Sequence, residues 1–273
     1  MTKTEVKGWN TNEMESGRMK VELVAYTPNP DAVCNMAAGT CVSEDIPVLE
    51  MSVNRYRALK GALKSGHESV AEHASFTFAV EGVSRALSHQ LVRHRIASFS
   101  QQSQRYVNMD NFEYVAPESV INAKSVYKVQ NAKNDGTGRW VTEIGTEPSG
   151  FPYVMTWNMN DAYDDFMRYV HDLYNQMIKC GVPEEDARYI LPNACCTNIV
   201  VSMNARELRH FFRLRCCERA QWEIRELADK MLKLCKEVAP ALFDGAGASC
   251  VATGRCPEGK KSCGKVKKSQ TEE

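Results

Sequence analysis

The chain has 273 residues, 43% of them hydrophobic, enough to bury a sizeable core in one large domain or two small ones. Its 34 acidic and 34 basic side chains cancel, so overall charge gives no grounds for a nucleic-acid or membrane partner, and any attraction for an anion has to be local. No apolar run is long enough to span a bilayer, and Met1–Lys20 lacks the apolar stretch of a secretory signal, so a soluble, cytoplasmic protein is expected.

Lys20–Tyr26 alternates Val21, Leu23 and Ala25 with polar neighbours, which predicts a strand. A helix is predicted near Ser52–Lys64, with Val53, Tyr56, Leu59 and Leu63 on one face and Gly66 as its stop. Ser69 and Glu72 have capping-box spacing and predict a short helical turn, followed by a strand at Phe76–Val80. Next, Val83, Ala86, Leu87 and Leu91, with Gln90 and His94, read as one helical stripe whose apolar face turns polar.

That stripe runs into Arg93-His94-Arg95-Ile96-Ala97-Ser98-Phe99-Ser100-Gln101-Gln102-Ser103-Gln104-Arg105, which holds three arginines and a row of hydroxyls and amides but no acid. Guanidinium forks match phosphate oxygens, and serine and glutamine add directional hydrogen bonds, so the segment suits a phosphorylated ligand. Its plainer reading is a solvated basic patch at a helix end. Polar groups on a core-facing stripe nevertheless need partners, because each one left unpaired costs about 1–3 kcal/mol.

From Pro117 to Met159 the periodicity fades into an excursion from the core, in which Gly136-Thr137-Gly138 is too sparse for a dinucleotide fingerprint. A helix is predicted over Asp161–Cys180, with Ala162, Phe166, Tyr169, Val170, Leu173 and Met177 on its stripe and Gly181 after it. Pro183, Glu184, Glu185 and Asp186 open a short helix that carries Arg188. Thr197–Met203 reads as a buried strand. Asn204 with Glu207 caps a helix whose face bears Leu208, Phe211, Phe212 and the charged Arg215, and a charge on such a face is not idle. The last long helix carries Ala220, Ile224, Leu227, Met231, Leu234 and Val238 and stops at Pro240. One domain over 1–243 is expected, then a flexible Cys- and Lys-rich tail over 244–273 with too few apolar residues to pack alone.

Arg93-His94-Arg95, seven further residues and Ser103 resemble the RHR(x)7S signature of the flavin-dependent thymidylate synthases. The resemblance extends to Gln90, Gly66-His67-Glu68-Ser69, Glu72-His73, Arg188 with Leu191-Pro192, Asn204-Ala205-Arg206, and Leu214-Arg215 followed by Ala220-Gln221-Trp222-Glu223-Ile224. It implies an α/β (α+β) fold, a central, mostly antiparallel sheet flanked by helices, in a homotetramer with sites at subunit junctions. It implies conversion of dUMP to dTMP with methylenetetrahydrofolate as carbon donor and NADPH-reduced FAD as hydride source, without a covalent protein nucleophile. By position, Gln90, Arg93, Gln101, Ser103, Gln104, Arg105, Arg188 and Arg215 would contact dUMP. Ser69, Arg93, His94, Arg95, Gln101, Asn204, Arg206 and His210 would contact FAD, with His67 close to the flavin and folate. Arg215 is the implied catalytic residue, a fixed cation at the uracil edge. Gln101 and Gln104 stand where the family pattern more often has an acid and a glycine.

Two other readings weigh against this. A cysteine-nucleophile synthase would use Cys195 or Cys196, but neither has an adjacent base or cation to activate a thiol. An RNA-binding protein would need aromatics interleaved with the basic residues, and these are absent. Eleven cysteines, an odd number, several inside helical patterns, point to free thiols in a reducing compartment, and Cys34 and Cys41 are expected on or beside a buried helix. No metal site is expected: Cys250, Cys256 and Cys263 are weak zinc candidates with longer spacings than the usual knuckles and no evident fourth ligand. His73 is read as a core imidazole and His94 as a flavin contact.

Overall fold

The computed structural model describes residues 19–49, 56–123 and 159–265, together with the backbone of four short strands lying between 126 and 158. Val53 and the start of the helix expected from Ser52, and the Gly136-Thr137-Gly138 pattern, lie outside the described residues. In chain order the elements are β1 (Lys20–Tyr26), α1 (Pro30–Thr40), α2 (Arg57–Lys64), a 3-10 turn (Glu68–His73), β2 (Ser75–Ser84), α3 (Arg85–Leu91) and β3 (Ala97–Gln101). They continue as α4 (Glu118–Ile121), β4 (Val126–Val129), β5 (Lys133–Asn134), β6 (Trp140–Val141), β7 (Met155–Asn158), α5 (Met159–Lys179) and α6 (Glu184–Ala187). The last are β8 (Cys196–Asn204), α7 (Ala205–Arg215), α8 (Trp222–Val238) and α9 (Ser249–Thr253). The chain forms two compact units, Met1–Gln102 with Thr197–Glu273, and Ser103–Cys196.

The first unit is built on a four-stranded sheet of order β1-β2-β8-β3. Its outer pairs are antiparallel, with Val21 opposite Val80 and Phe99 opposite Val201. The central pair runs antiparallel too: Ala205 N–H donates to Ala74 O, the Thr77 and Ser202 hydroxyls meet at 2.8 Å, and Gly82 N–H donates to Asn198 Oδ1. A register shift between Leu23 and Ala25 leaves Val24 as a bulge.

One sheet face makes the core. Phe76, Phe78, Val80, Ile199, Val201 and Met203 point inward, against Leu208, Phe211 and Phe212 of α7 and Ile224, Leu227 and Met231 of α8. Each such side chain contributes about 1.5–3 kcal/mol by leaving water. β8 is the expected buried strand, with Thr197, Ile199, Val201 and Met203 inside and Asn198 and Val200 exposed on its other face. Cys34 lies buried in α1 and Cys41 caps its end. Asp31, also buried, accepts from the backbone N–H groups of Ala241 and Leu242 at 2.9 and 2.8 Å. Burial pushes its carboxyl up, against those two donors.

The second unit packs α5 over a smaller core of Met109, Phe112, Val170, Tyr174, Ala187 and Cys195. Tyr174 is fully buried and its hydroxyl accepts from Met109 N–H at 3.3 Å. The buried face of α5 is Met167, Val170 and Tyr174, whereas Phe166 and Tyr169 are 56% and 64% exposed, so the expected stripe is rotated by about one residue. Two apolar rows run side by side along this helix, and periodicity alone does not choose between them. Within the excursion, β4 pairs with β7 and β5 with β6, both antiparallel. Among the described residues no helix is long and apolar enough to cross a membrane.

Candidate functional site

The Arg93-His94-Arg95 segment is a turn, where the sequence suggests a continuing helix. α3 starts at Ser84, whose hydroxyl accepts from Leu87 N–H at 3.0 Å, and the buried Glu223 carboxylate accepts from both Ser84 N–H and its hydroxyl. The helix ends at Leu91, and His94 N–H folds back onto Leu91 O at 3.1 Å before β3 begins. The expected stripe therefore breaks at both ends: Val83 belongs to β2, Ala86 is exposed, and His94 lies past the last turn. A tight turn throws alternate side chains to opposite sides, so Arg93 and Arg95 face solvent while His94 is only 5% exposed.

Both nitrogens of the His94 ring are committed. Nδ1 donates to Glu207 Oε1 at 3.1 Å and Nε2 accepts from Arg215 Nε–H at 3.1 Å. The Phe211 ring packs edge-on at 4.9 Å. Burial holds the imidazole below its ordinary pKa, the Glu207 hydrogen bond opposes this, and the Arg215 charge adds to it. His94 is therefore a neutral ring with its proton on Nδ1, and the lone pair on Nε2 fixes the plane of the Arg215 guanidinium. Burial also draws Arg215 below the usual arginine range.

α7 supplies most of this constellation. Asn204 caps it by accepting from Glu207 N–H at 2.9 Å, as expected, but the Glu207 carboxylate closes no capping box and goes to His94. Arg206 pairs with Glu72, while Arg209 and Arg213 both reach Glu68. These bonds hold the 3-10 turn Glu68–His73 against the helix. The turn starts at Glu68 with His67 as N-cap and has no side-chain cap, so Ser69 is not the cap that its spacing with Glu72 suggests. His67, Ser69, Arg206 and His210 are exposed, and so is His73, which is not the core imidazole expected.

The glutamines of the motif are turned inward. Gln101 Nε2 donates to Ser88 Oγ at 2.9 Å and to Thr197 Oγ1 at 3.3 Å, pinning the end of β3 to α3 and β8. Gln90 Nε2 folds back along its own helix to Ala86 O at 3.4 Å.

The second unit holds the remaining candidates. Ser103 Oγ accepts from Arg105 N–H at 3.2 Å, and Arg105 forks Glu185 Oε2 through Nε and Nη2 at 3.2 and 2.9 Å. Arg188 follows α6, donating Nε–H to Glu185 O at 3.0 Å. Glu185 thus gathers Arg105 and Arg188 about one residue, a role its place in an acidic first turn does not announce. Gln104 Nε2 meets the fully buried Cys195 Sγ at 3.7 Å.

All eleven cysteines are thiols. Burial pushes Cys34 up to about 12 and raises Cys216 and Cys235 further, which makes all three poor nucleophiles.

Residues 22–241 match the family model described as thymidylate synthase complementing protein. The protein of Geobacter sulfurreducens named flavin-dependent thymidylate synthase is 47% identical over 254 residues, covering 91% of this chain and 95% of that one. A protein of the same name from Clostridium tetani is 46% identical over 260 residues, covering 91% and 94%. The Pyrococcus furiosus protein of that name is 40% identical over 254 residues, covering 88% and 90%.

Proposed function

The chain belongs to the flavin-dependent thymidylate synthase family, and on that footing we propose that it converts dUMP to dTMP, with methylenetetrahydrofolate as carbon donor and NADPH-reduced FAD as hydride source. Beyond family membership, the observation that carries this reading is the run of hydrogen bonds from Glu207 through His94 to Arg215. It fixes a guanidinium by its Nε–H and leaves the terminal amino groups to address a ligand. A cation held at the N3 and O4 edge of uracil stabilises the anionic ring and makes its carbon a better nucleophile, an effect commonly worth about 3–4 kcal/mol when one donor is removed.

When bound, the reduced flavin supplies the hydride that completes the methyl group. The side chains proposed to hold it suit an anionic dinucleotide: the guanidinium groups of Arg93, Arg95 and Arg206 and the imidazoles of His67 and His210 are exposed, as is the Ser69 hydroxyl. Asn204 has its side-chain oxygen engaged in the cap, so its amide N–H group is the one available. His94 acts through Arg215 and is a positioning residue. Ser103, Arg105 and Arg188 are proposed to take the nucleotide phosphate, with Glu185 giving way. In the proposed homotetramer, groups that meet one nucleotide can come from different copies.

The proposal includes no protein nucleophile, and the complete burial of Cys195 supports that. It places the enzyme in the cytoplasm without a nucleic-acid partner. Anaerobic incubation of NADPH-reduced, FAD-loaded protein with dUMP and methylenetetrahydrofolate should yield dTMP. A flavin-loaded protein that makes none, or that traps uracil on a cysteine, would overturn the proposal.

A further inference from the structure

Five of the eleven cysteines line one cavity of about 240 Å³ in the first unit. Cys216 and Cys217 follow α7, Cys250 sits in α9, and Cys256 and Cys263 lie in the turns beyond it. Cys216 hydrogen-bonds Asp229, which takes it out of the set. Four thiols from two distant stretches of chain remain, and no histidine lines the cavity with them. Cys217 is the partner that Cys250, Cys256 and Cys263 lack when read along the sequence.

The segment carrying three of these thiols has little else to hold its shape. None of the residues from Ser249 to Lys265 is buried, and Val251 is 66% exposed. It is tied down by polar contacts: Arg219 donates to the carbonyls of Lys261 and Ser262 at 2.5 and 3.3 Å, Ser249 Oγ donates to Arg213 O at 3.2 Å, and Lys265 pairs with Glu218. Gly254 and Gly264 adopt φ of 72° and 79°, turns that bend the chain beside Cys256 and Cys263. Short segments with so small an apolar interior are usually stapled by a metal ion or a disulfide. Arg213, Arg219 and Lys265 also line the cavity, so positive charge is present to offset thiolates, alongside Glu218 and Glu258.

We propose that Cys217, Cys250, Cys256 and Cys263 form a tetrathiolate site for a thiophilic divalent cation, zinc being the ion whose tetrahedral chemistry suits four sulfurs. Binding breaks four S–H bonds, forms four metal–sulfur bonds of about 2.3 Å and releases four protons, with no change of oxidation state. Among the described residues no three ligand side chains are already gathered closely enough to hold an ion. Binding therefore draws the thiols inward and fixes the tail. The inference is independent of the flavin chemistry.

Full-length protein stripped of metal and titrated with cobalt(II) tests it. One equivalent per chain should bind, with the sulfur-to-cobalt charge-transfer band and visible bands of tetrahedral sulfur coordination. Zinc should displace the cobalt and shield four thiols from a thiol reagent. Cys256→Ser and Cys263→Ser should lose that equivalent, while Cys41→Ser and Cys180→Ser keep it. Wild-type protein without the cobalt spectrum overturns the proposal whether or not the variants fold. So does undiminished binding by folded Cys256→Ser and Cys263→Ser, or a native disulfide among the four.

Discussion

Arg215 and His94 meet nitrogen to nitrogen, the guanidinium Nε–H pointing at the imidazole Nε2 across 3.1 Å. Such a contact exists only while that nitrogen carries a lone pair. Glu207 secures this by taking the single ring proton on the other side. Three residues of different charge thus behave as one unit, and disturbing any of them reaches the arginine.

Replacing Glu207 with glutamine keeps an oxygen for the Nδ1 proton but adds an N–H that can favour the other tautomer. Turnover should fall by about 10- to 100-fold, the loss usual for a partner that orients a working group. Glu207→Ala removes the acceptor outright and should also lower stability by about 1–3 kcal/mol in urea unfolding.

Stability should depend on pH through His94. Its folded pKa lies below the ordinary histidine value of 6.5, so on acidification the unfolded chain takes up the proton first. The contribution is fully present above that value and declines as the pH drops through it toward the folded pKa. Urea midpoints followed downward from about pH 7.5 should decrease, and the slope should flatten in His94→Gln.

Arg215→Ala should reduce kcat by about 10²–10³-fold, as expected for a preorganised donor, whereas Cys195→Ser should leave turnover within a few-fold of the parent. Steady-state kinetics of the two variants compares the guanidinium and thiol readings directly. Comparable losses would refute the assignment.

In the second unit, Glu185 occupies the Arg105 fork that is proposed for the nucleotide phosphate. The pair is about half exposed, so its rupture costs at most about 1 kcal/mol. Glu185→Gln should therefore lower the KM for dUMP by up to about fivefold, and Arg105→Ala should raise it.

Ser84→Ala should destabilise the fold by about 1–2 kcal/mol, because the hydroxyl caps α3 and donates to buried Glu223. Thermal unfolding of the variant measures this.

Strong periodicity and terminal residues made much of the fold legible in the sequence. Alternation places β1 at Lys20–Tyr26, Asn204 starts α7, and Gly181 and Pro240 follow the ends of α5 and α8. β3 was hidden because its polar residues read as a ligand-binding stretch, although Ala97, Phe99 and Gln101 alternate with Ser98 and Ser100 at a strand's period of two. The arginine motif and Arg215 stand out by residue type and setting, and the other candidates on α7 come through the family resemblance. Their partners do neither: Glu207 stands 113 positions from His94, and Glu68 stands 145 from Arg213. A helix-cap signature and a long-range acceptor look alike until the chain is folded.

The bonds of α7 imply a shared fate for groups widely separated in sequence. Arg206, Arg209 and Arg213 grip the 3-10 turn beside His67, while Glu207 and Arg215 clasp His94 from either side. A tilt or slip of this one eleven-residue rod would displace every grip together, leaving no single contact free to adapt. Backbone amides of Leu208 to Phe212 should therefore exchange with deuterium among the slowest in the first unit, and catalysis should fade in step with their release.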